Sequence, residues 1–173
     1  MPIAGVSRVD HFGITVPDLD EAREFFEDVL GFEYLYRLGP LRDDEGHWMS
    51  EHLNVHDRAV SPRIFFFRIG GQAVLEVFEY ESPDQRVEPP RNSDVGGHHL
   101  ALYVEDIDAA AAELRRRGVR VLGEPTASKG PHEGQRWLYF VSPWGLHCEF
   151  VSYPNGKAFQ HDPEAFREAG SAT

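Results

Sequence analysis

The sequence predicts an α+β chain made of two copies of one βαβββ module. Three observations predict it. The first is an internal repeat. Asp10-His11-Phe12-Gly13-Ile14-Thr15-Val16-Pro17-Asp18 and His98-His99-Leu100-Ala101-Leu102-Tyr103-Val104-Glu105-Asp106 align with a constant offset of 88 residues. Val16 then falls on Val104, Asp18 on Asp106, Asp20 on Asp108 and Ala22 on Ala110. The second is that each copy runs from a strand pattern into a helical pattern and then a glycine, Gly31 or Gly118. The third is that each copy ends in strand-like runs, Leu75-Glu76-Val77 and Cys148-Glu149-Phe150. A repeat of this length organises the whole fold and must be read first.

In order, the first seven residues read as a lead-in. Arg8 to Val16 alternates as a half-buried strand does. Pro17 and Asp18 end it, and Asp20 is the expected N-cap of a helix over Glu21 to Leu30. Ala22, Phe25, Phe26, Val29 and Leu30 have the spacing of one buried helix face. Phe32 to Leu38 follows as a strand. Residues 39–60 form a polar, histidine-bearing insertion with a short helix near Trp48 to Leu53, and inserts of this length are often lids or binding loops. Arg63 to Ile69 and Gln72 to Tyr80 form a hairpin across Gly70-Gly71. The first module therefore spans 8–80. A proline-bearing linker spans 81–96, the second module 97–153 and a polar tail 154–173. In the second module, strands are expected over Gly97–Val104, Val119–Leu122, Arg136–Val141 and Leu146–Ser152, with a helix over Asp108–Arg117.

Composition restricts function. The chain has 173 residues, 41% of them hydrophobic, and a net charge of −12. That sign argues against a nucleic-acid partner, which requires clustered Lys and Arg. Cys148 is the single cysteine, so no internal disulfide forms. No apolar run reaches membrane-spanning length and no signal-peptide core is present, so a cytoplasmic protein without membrane contact is expected.

The candidate site is His11, Glu76, His99 and Glu149. A glutamate within an apolar strand is costly to bury unless paired or bound to a cation, and here it recurs at matched places. A lone strand histidine is usually a structural one; two, each matched with a strand glutamate, point to a metal. Two imidazoles and two carboxylates suit one divalent ion: Zn, Ni, Co, Mn or Fe. Alternation places Gly13 and Thr15 on the face of His11, Tyr103 on that of His99, and His147 on that of Glu149. Tyr103 and His147 are thus candidates to hydrogen-bond a substrate or relay a proton. His98 faces the other way. His47, His52, His56 and His132 read as loop residues, and Arg115-Arg116-Arg117 as a solvated helix end.

From about residue 8 to 153 the chain resembles the vicinal oxygen chelate superfamily, which includes glyoxalase I, methylmalonyl-CoA epimerase, extradiol dioxygenases and bleomycin-resistance proteins. The matching stretches are Asp10–Val16, Leu75-Glu76-Val77, His99–Asp106 and Pro143-Trp144-Gly145 followed by Glu149. The resemblance implies paired modules curled into a cup around one divalent metal, often in a homodimer. It implies His11, Glu76, His99 and Glu149 as the ligands, with two positions open for vicinal substrate oxygens. The extradiol members take no carboxylate from the strand of Glu76, so an isomerase, epimerase or glyoxalase-type lyase is expected here. Glu149 is then the first candidate base and Glu76 the second. An Fe(II) dioxygenase and a drug-binding resistance protein are the alternatives. For an anionic substrate, Arg63, Arg91 and Arg136 are the candidate contacts; loop 39–60 and the net charge favour a neutral, polyhydroxylated or aromatic one.

Overall fold

A computed structural model describes residues 5–167; the first four residues of the lead-in and the last six of the tail lie outside the described residues. The chain divides into two compact units, 1–88 and 89–173.

In the first unit, β1 (His11–Val16) leads into α1 (Leu19–Glu24), which continues as a π-helical turn, Phe25–Val29. Then come β2 (Glu33–Leu38), α2 (Trp48–Leu53), β3 (Ile64–Ile69) and β4 (Ala73–Glu79). The sheet order is β1-β4-β3-β2; β1 and β4 run parallel and the other pairs antiparallel. The helix carries the chain across one face of the sheet from β1 to β2, and two antiparallel pairings then bring β4 back beside β1 in the same direction. That face is the core. Phe26, Phe67, Leu19, Leu75, Val77 and Val16 are buried there, with Phe26 stacked on Phe32 at 5.4 Å.

The cap of α1 is Asp18, two residues earlier than the sequence suggested. Its Oδ1 accepts the N–H groups of Asp20 (2.8 Å) and Glu21 (2.9 Å). Asp20 instead receives a two-pronged Arg63 guanidinium at 2.8 and 3.1 Å. Loop 39–60 holds α2 where the sequence placed it, and antiparallel bridges Leu41–Ser61 and Val60–Glu81 close its base.

The second unit repeats the plan. It contains β5 (His99–Tyr103), α3 (Ile107–Arg116), β6 (Arg120–Ala127), β7 (Arg136–Val141) and β8 (His147–Ser152). The order is β5-β8-β7-β6, again with the first pair parallel. Asp106 caps α3 as Asp18 caps α1, and Arg136 grips Asp108 as Arg63 grips Asp20. β6 runs five residues beyond its expected end because it re-pairs with β7 after a register shift between Leu122 and Thr126. The tail carries two helical turns, α4 (Ala158–His161) and α5 (Glu164–Arg167). Among the described residues no helix is long and apolar enough to cross a membrane.

Candidate active site

β1 is an edge strand paired with β4 so that Gly13 stands opposite Glu76. Alternation sends His11, Gly13 and Thr15 to the face away from the helix, together with Val74, Glu76 and Phe78. Gly13 has no side chain to fill the space beside Glu76. A Cβ there would lie 3.7 Å from Glu76 Oε2. The carboxylate therefore folds over the glycine and meets His11, with Nε2 to Oε2 at 3.2 Å.

The other ring nitrogen of His11 is committed. Its Nδ1–H donates to Asp10 Oδ2 at 2.9 Å. That bond fixes the tautomer and leaves the Nε2 lone pair directed at the carboxylate. Two electron-pair donors facing each other at this distance need a cation or a proton between them. The titration shifts agree. The hydrogen bond to Asp10 raises the pKa of His11, and burial raises that of Glu76, whose side chain is only 17% exposed. Asp10 has the carboxylate-to-imidazole role that metal-ligating histidines commonly use.

The second unit builds the same pair. Ala101 stands opposite Glu149, and His99 Nε2 lies 3.3 Å from Glu149 Oε2. His147 is the strand partner of His99 and shares the face of Glu149. Its Nδ1 is buried without a hydrogen-bond partner among the described residues. Tyr103 lies on the face of His99, where its hydroxyl donates to Glu105 at 3.1 Å and its ring meets Tyr153 edge-on at 5.0 Å.

Tyr139 was not visible as a site residue in the sequence. It pairs with Glu149 across β7–β8, and its hydroxyl lies 3.4 Å from His99 Nε2. Burial, then the charge of Glu149, raises its pKa and keeps the phenol protonated. Asp10 belongs to the repeated motif, but the sequence alone gives it no role. A hairpin register drawn through Ser142–Gly145 would have placed Tyr139 beside Glu149.

Each half thus presents one imidazole and one carboxylate as a facing pair, the donor types that suit a borderline divalent ion. Among the described residues no group of three or more His, Cys, Asp or Glu side chains is close enough to hold a metal ion. The three arginines expected to meet an anionic substrate are engaged otherwise. Arg63 and Arg136 grip Asp20 and Asp108, and Arg91 grips Asp94 at 2.8 Å. A hollow of about 720 Å³ opens beside His11, with the stacked rings of Tyr36 and Phe66 on one side and Arg8, Arg68 and Gln72 around it.

The family model of the Glyoxalase/Bleomycin resistance protein/Dioxygenase superfamily matches residues 8–150. The chain belongs to this superfamily. Within it, a 2-epi-5-epi-valiolone epimerase from Actinomyces sp is 49% identical over 164 residues, covering 94% of this chain and 88% of that protein. The superfamily fold recurs in a glyoxalase family protein from Bacillus cereus, at 20% identity and a TM-score of 0.65 over 87% of this chain and 98% of that one. It recurs also in the fosfomycin resistance protein FosX from Listeria monocytogenes, at 18% identity and a TM-score of 0.57 over 90% and 98%. That FosX structure is a complex with Mn(II).

Proposed function

We propose that this chain is a divalent-metal-dependent epimerase acting on a polyhydroxylated ketone, with 2-epi-5-epi-valiolone as the first substrate to test. The observation that carries the reading is the facing imidazole–carboxylate pair, His11–Glu76, repeated as His99–Glu149. The epimerase relative at 49% identity supports the reaction type.

In this reading the four side chains serve one cation. When bound, a divalent ion supplies Lewis acidity: it draws electron density from a carbonyl oxygen and makes the neighbouring C–H more acidic. The protein's own groups do the remaining work. Glu149 is the first candidate to take the proton, and Glu76, whose basicity burial has raised, holds the second carboxylate position. Inverting a centre takes removal on one face and return on the other, which two carboxylates from different halves can divide between them. Asp10 holds the His11 ring in place. The Tyr139 hydroxyl, beside His99 Nε2, is placed to donate to a substrate oxygen, and His147, on the strand face of Glu149, is the candidate to relay a proton.

Held by these four side chains, a six-coordinate ion would have two positions to offer to vicinal oxygens of one substrate. It does not favour a catechol bound together with O2. The test is to add 2-epi-5-epi-valiolone to metal-loaded protein in D2O and follow the carbon beside the carbonyl by NMR. Deuterium entering with inversion supports the reading. Metal-loaded protein that leaves that C–H untouched overturns it.

A further inference from the structure

The first half contains a second hollow, of about 640 Å³, at the far end of the strand face that carries His11 and Glu76. Thr15 lies two residues past Gly13, the strand partner of Glu76; Tyr80 lies four residues past Glu76 itself. One strand repeat of two residues is roughly 6.6 Å, which separates Thr15 from Gly13 along β1. Thr15 is paired with Phe78, and the Glu76 charge reaches the Tyr80 phenol, so the hollow lies beside the reactive face. We propose that this hollow, walled by Thr15, Asn54, His56, Tyr80, Gln85 and Arg86, recognises the hydroxyl groups of a neutral polyhydroxylated ring. The proposal names the substrate class of the epimerase reading and rests on that reading for the chemistry, though not for the binding.

Its far wall is built from segments outside the βαβββ repeat. Asn54 ends α2 in a left-handed conformation, φ 55°, which turns the chain toward His56. His56 Nδ1 accepts the Arg58 N–H at 3.0 Å, so its Nε2 carries the proton and is a donor. Paired backbone bonds between Val60 and Glu81, at 2.9 and 2.8 Å, fasten the end of the insertion to the segment that carries Gln85 and Arg86. Burial keeps the Tyr80 phenol protonated, and its ring stacks on Phe78 at 5.4 Å.

The chemistry of the wall decides the ligand class. A phosphate or a coenzyme A tail requires clustered cations. Here one guanidinium, Arg86, and one carboxylate, Asp84, line the same wall, so their formal charges offset. Asp84 accepts from Ser82 Oγ at 2.6 Å, which holds its carboxyl low, with a smaller part from His56. The remaining groups are hydroxyl, amide and imidazole. An alcohol needs one donor and one acceptor, and this mixture offers both at several points.

The test uses the full-length chain, metal-free and metal-loaded, with amide NMR. The probes are myo-inositol, a neutral cyclitol, and inorganic phosphate. Myo-inositol is expected to shift the amides of Thr15, Asn54–His56 and Tyr80–Arg86, while phosphate at equal concentration leaves them unmoved. Thr15→Val keeps the strand, and Asn54→Gly keeps the left-handed turn. Each is expected to weaken myo-inositol binding roughly threefold to tenfold, the effect of one lost hydrogen bond. Absent shifts, unchanged affinity in both variants, or phosphate binding at these amides would overturn the proposal. Polyol binding here without C–H exchange in D2O removes the epimerase reading and leaves the subsite standing; exchange without polyol binding does the reverse.

Discussion

Tyr139 is the strand partner of Glu149, and its hydroxyl lies 3.4 Å from His99 Nε2. The matching place in the first half is Phe66, opposite Glu76. The two imidazole–carboxylate pairs are alike in their nitrogen-to-oxygen distance, but the second has a phenol oxygen beside it where the first has a phenyl ring, and the first has Asp10 behind its histidine. Tyr139→Phe removes that oxygen without changing the ring's packing against Trp137. It is expected to keep the fold and bound metal and to lower kcat by about tenfold, the upper value of one ordinary hydrogen bond. Steady-state kinetics with metal titration checks this; weaker metal affinity with kcat intact at saturating metal would assign the phenol to ligation geometry.

Glu149→Gln removes a base while keeping an oxygen donor. Turnover is expected to fall by about a hundredfold or more while most of the metal is retained. Glu76→Gln also keeps an oxygen donor and is expected to lower turnover less than Glu149→Gln does. A Glu149→Gln enzyme with full activity would move the base role to Glu76.

Chelation should abolish turnover with the fold intact, and a divalent ion, at about one per chain, should restore it. Metal uptake should also depend on pH through His11. The bond to Asp10 raises its pKa above 6.5, so protons compete for Nε2 up to a higher pH than usual. Without metal, a raised value means that the Asp10–His11 pair stabilises the fold fully below pH 6.5. The contribution fades as pH rises through the raised value. Asp10→Asn should move the uptake midpoint to lower pH, measured by metal titration across pH.

Cys148 is fully buried beside Glu149 in sequence but on the other strand face, and burial pushes its thiol up to about 12. A catalytic thiol would need the reverse. Iodoacetamide at pH 8 should leave the folded protein unlabelled and fully active, and label it only after denaturation.

Gly97 sits two residues before His99, inside a turn formed by Arg91–Gly97. A Cβ there would collide with the Arg91 carbonyl and lie 2.8 Å from that of Asp94. These are backbone atoms, so the turn itself must open. Gly97→Ala should cost about 1–3 kcal/mol, as overpacking does, and be visible as a lower Tm.

Much of this was legible in the sequence. The repeat gave both modules, the limits of β7 and α2 match, and the four site residues were read from the repeat, while the register of β1 with β4 and of β5 with β8 is what brings each histidine to its glutamate. The misplacements share a cause. Asp18 and Asp20 are both good cap residues, and only the Arg63 guanidinium across the sheet decides which one caps. Likewise Arg63 and Arg136 read as open cations because their aspartates lie 43 and 28 residues away. Tyr139 was hidden by the long-range register between β7 and β8, which no local pattern encodes.

The Arg63–Asp20 and Arg136–Asp108 clasps occur at equivalent places, each tying the start of a helix to the start of a strand. Each half therefore carries its own fastening, independent of the groups on its reactive face. Mutations that reshape one wall for a new ligand need no matching repair in the other copy. A duplicated ancestor with this property can diversify one half at a time.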